Sequence, residues 1–249
     1  MGPAVRVDRP NGRAPMVLVC EHASRRIPMG MGGLGLNTAA AKSHAAWDIG
    51  ALALAKGLSA HLDAPLVAGG VSRLVYDCNR APGAPDAMPA RSEVHDIPGN
   101  VGLSPAACAD RVAQIYDPFH AAVADALASQ GPDAALVTLH SFAPVYHDAP
   151  RDVQLGLLHG PDDRLARAML GHAERSGWEA RLNAPYGPAD GVLHTLDRHA
   201  KDTPRPSVMI ELRNDLLGTP DQIADAARTL SAIITAALAD LGLGQAQRE

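Results

Sequence analysis

The chain has 249 residues, 47% hydrophobic and 3% aromatic, enough to bury the aliphatic core of one large α/β domain. Its formal net charge is −5, and its 22 basic residues form no block, so it lacks the electrostatic footprint of a nucleic-acid binder. No apolar run reaches the roughly 18–20 residues that span a bilayer.

Residues 1–15 are polar, hold Arg6, Arg9 and Arg13 and lack the apolar stretch of a signal peptide. They read as a loose leader, and 16–249 as one domain. Cys20, Cys78 and Cys108 form no CxxC pair, which suits buried thiols in a reducing cytoplasm. Met16 to Cys20 is a short covered strand that runs into Glu21-His22-Ala-Ser. The Gly-rich stretch 29–36 is a loop. A helix is expected from about Lys42 to Leu62, where Trp47, Ala51, Leu54, Ala55, Leu58 and Leu62 recur at helical spacing. In it, His44 and Asp48 share one face. Pro65 to Ala68 is a second strand. Ser72 to Arg80 alternates like a strand, with Arg73, Val75, Asp77 and Asn79 pointing one way. The proline-rich stretch 81–100 is a long loop of the kind that forms lids.

Ser104-Pro105 opens a helix, a hydroxyl N-cap followed by Pro at N1. Val112, Ile115, Phe119, Val123 and Leu127 carry it to Gly131. Ala134 to Phe142 is an apolar strand ending in His140-Ser141. A further strand covers Val153 to Leu158, a helix runs from Pro161 to Gly177, and Trp178 to Leu182 is a short strand. Asn183 to Gly191 is a turn-rich loop. Ser207 to Leu212 is the last strand, carrying Glu211, and Asp221 to Leu241 is the closing helix. This alternation predicts an α/β fold with a mostly parallel sheet and one domain.

Covered parallel strands place chemistry at their carboxyl ends, where His22, His140 and Glu211 stand. A catalytic zinc site needs about three nitrogen or oxygen ligands and an open position. Two histidines and one acid meet that count, although each histidine alone is equally a satisfied loop residue. Asp48 is the preferred acid. Glu21 is the alternative, but as the neighbour of His22 it points to the opposite face. Glu211 lies between Ile210 and Leu212, and a desolvated carboxylate is a general base near neutral pH. Its plainer reading is a salt bridge with Arg213. Arg73, Asn79 and Arg80 together suit an anion, because arginine forks a carboxylate.

Taken in order, these segments resemble the N-formylglutamate amidohydrolase family, related in fold to zinc carboxypeptidases and to acylglutamate and aspartoacyl deacylases. The likeness spans about Val17 to Leu241. It rests on Glu21-His22-Ala-Ser with Ile27-Pro28, His44-Ala-Ala-Trp47-Asp48-Ile-Gly, and Ser72-Arg73-Leu-Val-Tyr-Asp77-Cys-Asn79-Arg80. It continues through Pro98-Gly99-Asn100, Leu139-His140-Ser141-Phe142, Asn183-Ala-Pro-Tyr186, His199 and Ile210-Glu211-Leu-Arg213-Asn-Asp215-Leu.

The resemblance implies a single-domain, zinc-exopeptidase (phosphorylase/hydrolase)-like α/β fold, a mostly parallel mixed sheet flanked by helices. It implies one divalent metal ion, zinc or else cobalt or manganese, held by His22, His140 and an acid. The related carboxypeptidases place a Glu three residues after the first His. Here that position is Arg25, so the acid comes from elsewhere. Glu211 would activate the attacking water, Arg73 would polarise the scissile carbonyl, and Asn79-Arg80 would hold the substrate carboxylate. Ser141, Asn183 and Tyr186 are the other expected substrate contacts. The implied substrate is a small N-acyl amino acid, most simply N-formyl-L-glutamate, cleaved to the free amino acid and a carboxylic acid. A peptidase or amidase with another substrate would need an open groove instead. A binding protein that had lost the chemistry would hold no metal.

Overall fold

The computed structural model describes residues 2–243, so the last six residues of the expected domain lie outside it. Seven strands form one mixed sheet: β1 (Val5–Asp8), β2 (Met16–Cys20), β3 (Leu66–Gly69), β4 (Ala135–Phe142), β5 (Leu155–Leu158), β6 (Ala180–Leu182) and β7 (Ser207–Arg213). Across the sheet they run β1-β3-β2-β4-β7-β5-β6. The central strands β3, β2, β4 and β7 are mutually parallel. β5 runs antiparallel to β7 and parallel to β6.

The central strands are covered on both faces, which is why they read as unbroken apolar runs. One face packs Leu18, Val137, Leu139 and Ile210 against α1 (Ala51–Leu62), α3 (Arg164–Ala173) and α5 (Pro220–Asp240). The other packs Val17, Val19, Leu136 and Met209 against α2 (Asp117–Gln130) and α4 (His194–His199). α2 continues Pro105–Arg111 through a wider turn at Val112–Tyr116, and Ser104 caps the start as its sequence predicts. No described helix is long and apolar enough to cross a membrane.

Side chains alternate between the faces. His140 and Glu211 therefore fall on the same side as Leu136 and Met209, and they are register partners across the β4–β7 pair. The chemistry expected at strand ends is thus delivered to one side of the sheet.

Four expectations need correction. The leader is not loose where it is described. Val5–Asp8 pairs antiparallel with β3, Val5 opposite Gly69, because the free edge of β3 would otherwise leave backbone groups unpaired. The helix expected from Lys42 is broken: Thr38–Lys42 and Ala51–Leu62 are separate. Between them Gly50 adopts φ 83°, and the Asp48 N–H donates to the His22 carbonyl at 3.0 Å. Ser72 to Arg80 forms successive turns instead of a strand. Its alternating polar groups bond locally, as where the Asn79 N–H donates to Asp77 Oδ1 at 2.9 Å. Finally, the 81–100 loop contains a small hairpin, Arg91–Ser92 with His95–Asp96. A matching one, Val145–Tyr146 with Ala149–Pro150, follows β4.

Gly50 holds the turn that presents Asp48. A Cβ there would lie 2.6 Å from Leu217 Cβ, and its φ is one that L-residues avoid. Gly50→Ala should destabilise the fold by roughly 2–4 kcal/mol, left-handed strain and overpacking together. Urea unfolding measures it, and a loss under about 0.5 kcal/mol, the range of a neutral surface change, would refute this reading of the turn.

Candidate active site

The carboxyl ends of β2 and β4 and the turn before α1 converge on one point. His22 Nδ1 lies 3.2 Å from Asp48 Oδ2 and His140 Nδ1 lies 2.8 Å from it. The two imidazole nitrogens are 3.2 Å apart. All three residues are buried.

The far side of each ring meets a carboxylate. His22 Nε2 donates to Asp77 Oδ1 at 2.7 Å, which turns the Nδ1 lone pair toward the centre. His140 Nε2 faces Glu21 Oε2 at 3.1 Å. That contact is close but poorly aligned, and neither Glu21 oxygen has a well-formed hydrogen bond among the described residues. Each imidazole is thus backed by a carboxylate, the arrangement that orients metal-ligating histidines. Three electron-pair donors meet where few protons are available to separate them. Their spacing is close to the edge of about 3.3 Å between ligands set tetrahedrally around zinc. His22, Asp48 and His140 form the metal-capable group among the described residues. Asp48, the acid preferred from sequence, belongs to this group, and Glu21 lies outside it.

The local charge balance points the same way. Glu21, Asp48, Asp77 and Glu211 are all buried, and Arg73 is the guanidinium among them, its Nη1 3.3 Å from Asp48 and Nη2 3.0 Å from Asp77. Glu21, Asp48 and Asp77 against one arginine leave a negative surplus that a bound cation, or protons on the histidines, would offset. Burial opposes ionisation of Asp48, but His22 and His140 beside it hold its pKa well below the usual carboxylate range. Burial likewise disfavours a charged His140, yet Glu21 and Asp48 raise its pKa. Glu211 behaves oppositely. Desolvation pushes its pKa up to about 7, and its Oε2 has no hydrogen-bond partner among the described residues.

This centre opens into a cavity of about 590 Å³. Of the residues expected from sequence, His22, Asp48, Arg73, Asn79, Arg80, His140, Ser141, Tyr186 and Glu211 line it. Several are already engaged. Asn79 donates to the Val192 carbonyl at 2.5 Å and accepts from the Thr195 N–H at 3.0 Å. Arg80 is paired with Asp86 at 2.5 Å and donates to the Asn79 carbonyl at 2.9 Å. The Ser141 hydroxyl donates to the Ile49 carbonyl at 2.7 Å.

Asn183 is not in the wall. Its Oδ1 accepts from the His159 N–H at 2.9 Å, and its φ of 48° marks a turn position that asparagine tolerates. Among the described residues Glu211 pairs with no arginine: Arg213 is bonded to Asp215 at 2.9 Å instead.

Sequence reasoning missed other wall residues. Glu93 of the first hairpin is bonded to His44 at 2.6 Å. Tyr146 and Arg151 come from the second hairpin and its exit. Asp77 carried a detectable signal, lying inside a dense polar motif. Arg151 carried none, because a hairpin folded over a strand end leaves no mark in spacing.

Comparison with known proteins gives a consistent picture. The family model for N-formylglutamate amidohydrolase matches residues 14–218. A gene product of Agrobacterium tumefaciens of known crystal structure is 47% identical, with a TM-score of 0.94 and 97% of each chain covered. The N-formylglutamate amidohydrolase of Ralstonia eutropha is 19% identical, with a TM-score of 0.68 over 94% of this chain and 96% of that one. At that identity the likeness speaks to the fold. No curated protein matches.

Proposed function

The chain belongs to the N-formylglutamate amidohydrolase family, and on that premise we propose that it hydrolyses N-formyl amino acids, N-formyl-L-glutamate foremost, to formate and the free amino acid. The observation that carries this reading is the pairing of a convergent His22–Asp48–His140 set with a buried, unpartnered Glu211 one strand away. When bound, a divalent cation such as zinc would supply Lewis-acid polarisation of the amide carbonyl and acidify water. Cobalt and manganese share the ligand preferences that this set offers.

The remaining work falls to the chain itself. Glu211 takes the proton of the attacking water and returns it to the leaving amine. Its pKa of about 7 suits both transfers near neutral pH. Arg73, fixed between Asp48 and Asp77, faces the cavity with its unspent N–H groups. There it stabilises the developing oxyanion, an interaction worth roughly 3–4 kcal/mol in comparable sites. Arg80 and Asn79 bind the α-carboxylate, Arg80 through the donors that Asp86 leaves free. Ser141 holds the turn before α1 in place, and Tyr186 covers the substrate. A cavity of about 590 Å³ overlaid by two hairpins favours a small amide over a peptide chain.

The direct test is a hydrolysis screen of N-formyl, N-acetyl and N-succinyl amino acids with zinc, cobalt and manganese. N-formyl-L-glutamate should give the highest kcat/KM. Absence of hydrolysis of every N-formyl compound by metal-loaded protein would overturn the reading.

Asp77 offers a second test. Asp77→Asn keeps the shape behind His22 but weakens the acceptor that sets the ring's tautomer. Metal affinity should fall about 10- to 100-fold, measured by competition with a chromogenic chelator, with an unchanged circular dichroism spectrum. Unaltered affinity would separate Asp77 from metal binding.

A further inference from the structure

We propose that Arg151 selects acidic substrates by binding the side-chain carboxylate of the N-formyl amino acid. This assignment rests on the function proposed above and adds the residue that would set its specificity.

The argument begins with the cations in the cavity wall. Arg73 is bonded to Asp48 and Asp77, Arg80 to Asp86, and His44 to Glu93. Among the described cationic side chains that line the cavity, Arg151 alone has no carboxylate partner. Among the described residues its hydrogen-bond acceptor is the Ala143 carbonyl, at a marginal 3.5 Å.

It is nevertheless firmly placed. The Arg151 N–H donates to the Pro144 carbonyl at 2.8 Å, and the Arg151 carbonyl accepts from Arg213 Nη1 at 2.8 Å. Three rings surround the guanidinium, with centres 4.5 Å (Tyr146), 4.8 Å (Tyr186) and 5.5 Å (Phe142) from its central carbon. Aromatic faces attract the cation without consuming its N–H edge. What results is a pre-ordered planar fork, matched to a carboxylate and lacking one.

N-formyl-L-glutamate carries two carboxylates. Arg80 lies three residues from Asp77, on the segment that backs the metal-capable group, and is placed for the carboxylate beside the scissile amide. Arg151 enters from a different connection, at the foot of the hairpin after β4. It is left for the distal carboxylate.

The experiment compares N-formyl-L-glutamate with N-formyl-L-glutamine, which has the same shape and no side-chain charge, on metal-loaded wild-type protein and on Arg151→Met. Methionine keeps an unbranched apolar chain in the aromatic slot. The expected result is a wild-type preference for the glutamate compound, together with a 10- to 100-fold rise in its KM in Arg151→Met. The kcat for the glutamate compound and both constants for the glutamine compound should stay within about threefold. Arg151→Lys, which keeps the charge and loses the fork, should fall between, and it serves if the Met variant unfolds. Equal losses on both substrates, no loss on either, or no wild-type preference would each overturn the assignment.

Calorimetric binding of both compounds in a Glu211→Gln background separates this inference from the one beneath it. If wild-type protein hydrolyses neither compound but the background variant binds the glutamate compound through Arg151, the hydrolase reading fails and the assignment stands. If neither compound binds, the assignment fails.

Discussion

Glu211→Gln should lower kcat by about 10²- to 10⁴-fold, the range of a positioned general base, with metal content and melting temperature close to wild type. The substitution is nearly isosteric and removes a buried group whose ionised form is costly. Burial holds the Glu211 pKa up to about 7. A base works only when ionised, so kcat/KM should fall as the pH drops through that pKa. A cation on His22, Asp48 and His140 favours the ionised form and draws the value down. The acid limb of the wild-type profile therefore lies at or below about pH 7, and the Gln variant should lack it. Near-native turnover, or an unchanged acid limb, would remove Glu211 from the mechanism.

His140→Ala should remove the cation itself. One of three donors is lost, and Asp48 Oδ2 loses its 2.8 Å partner. Purified variant should hold less than about 0.2 metal per chain, where wild type binds about one. Its kcat/KM should drop by about 10³-fold or more, since several kcal/mol of electrostatic stabilisation disappear. Elemental analysis after zinc loading reads the first effect, and hydrolysis of N-formyl-L-glutamate reads the second. A fully loaded His140→Ala protein would show that the ion sits elsewhere.

Much of this site could be read from the chain alone. His22, His140 and Glu211 were legible because each ends an apolar run long enough to be a covered strand, and such strands deliver their ends to one place. Asp48, preferred on the expectation of a helix, does join the two histidines, but from a different local structure. It sits in a tight turn ahead of α1, shaped by Gly50 and by a backbone bond to His22, where helical periodicity had suggested a continuous helix. The Ser72–Arg80 stretch misled for a related reason. Its alternation comes from side chains that close turns and back His22, and period alone does not separate that from a pleat.

Val5–Asp8 was missed because a four-residue edge strand with no fully buried side chain does not look like a core strand. Asn183 was misplaced because a loop asparagine serves its own turn as readily as a ligand. Arg151 was invisible, since its meaning comes from three rings brought together by tertiary packing.

The facing of Glu211 and His140 across β4 and β7 has a practical corollary. Two hydrogen-bonded strands stand about 4.8 Å apart whatever surrounds them, so the gap between the proposed base and the proposed ligand is set by backbone pitch. Arg151, proposed to meet a substrate's far end, belongs to an excursion outside the sheet. An engineer could graft a new 143–151 excursion to change the preferred acyl amino acid and leave the hydrolytic machinery untouched, while a one-residue slip of β7 would disable the protein for every amide alike.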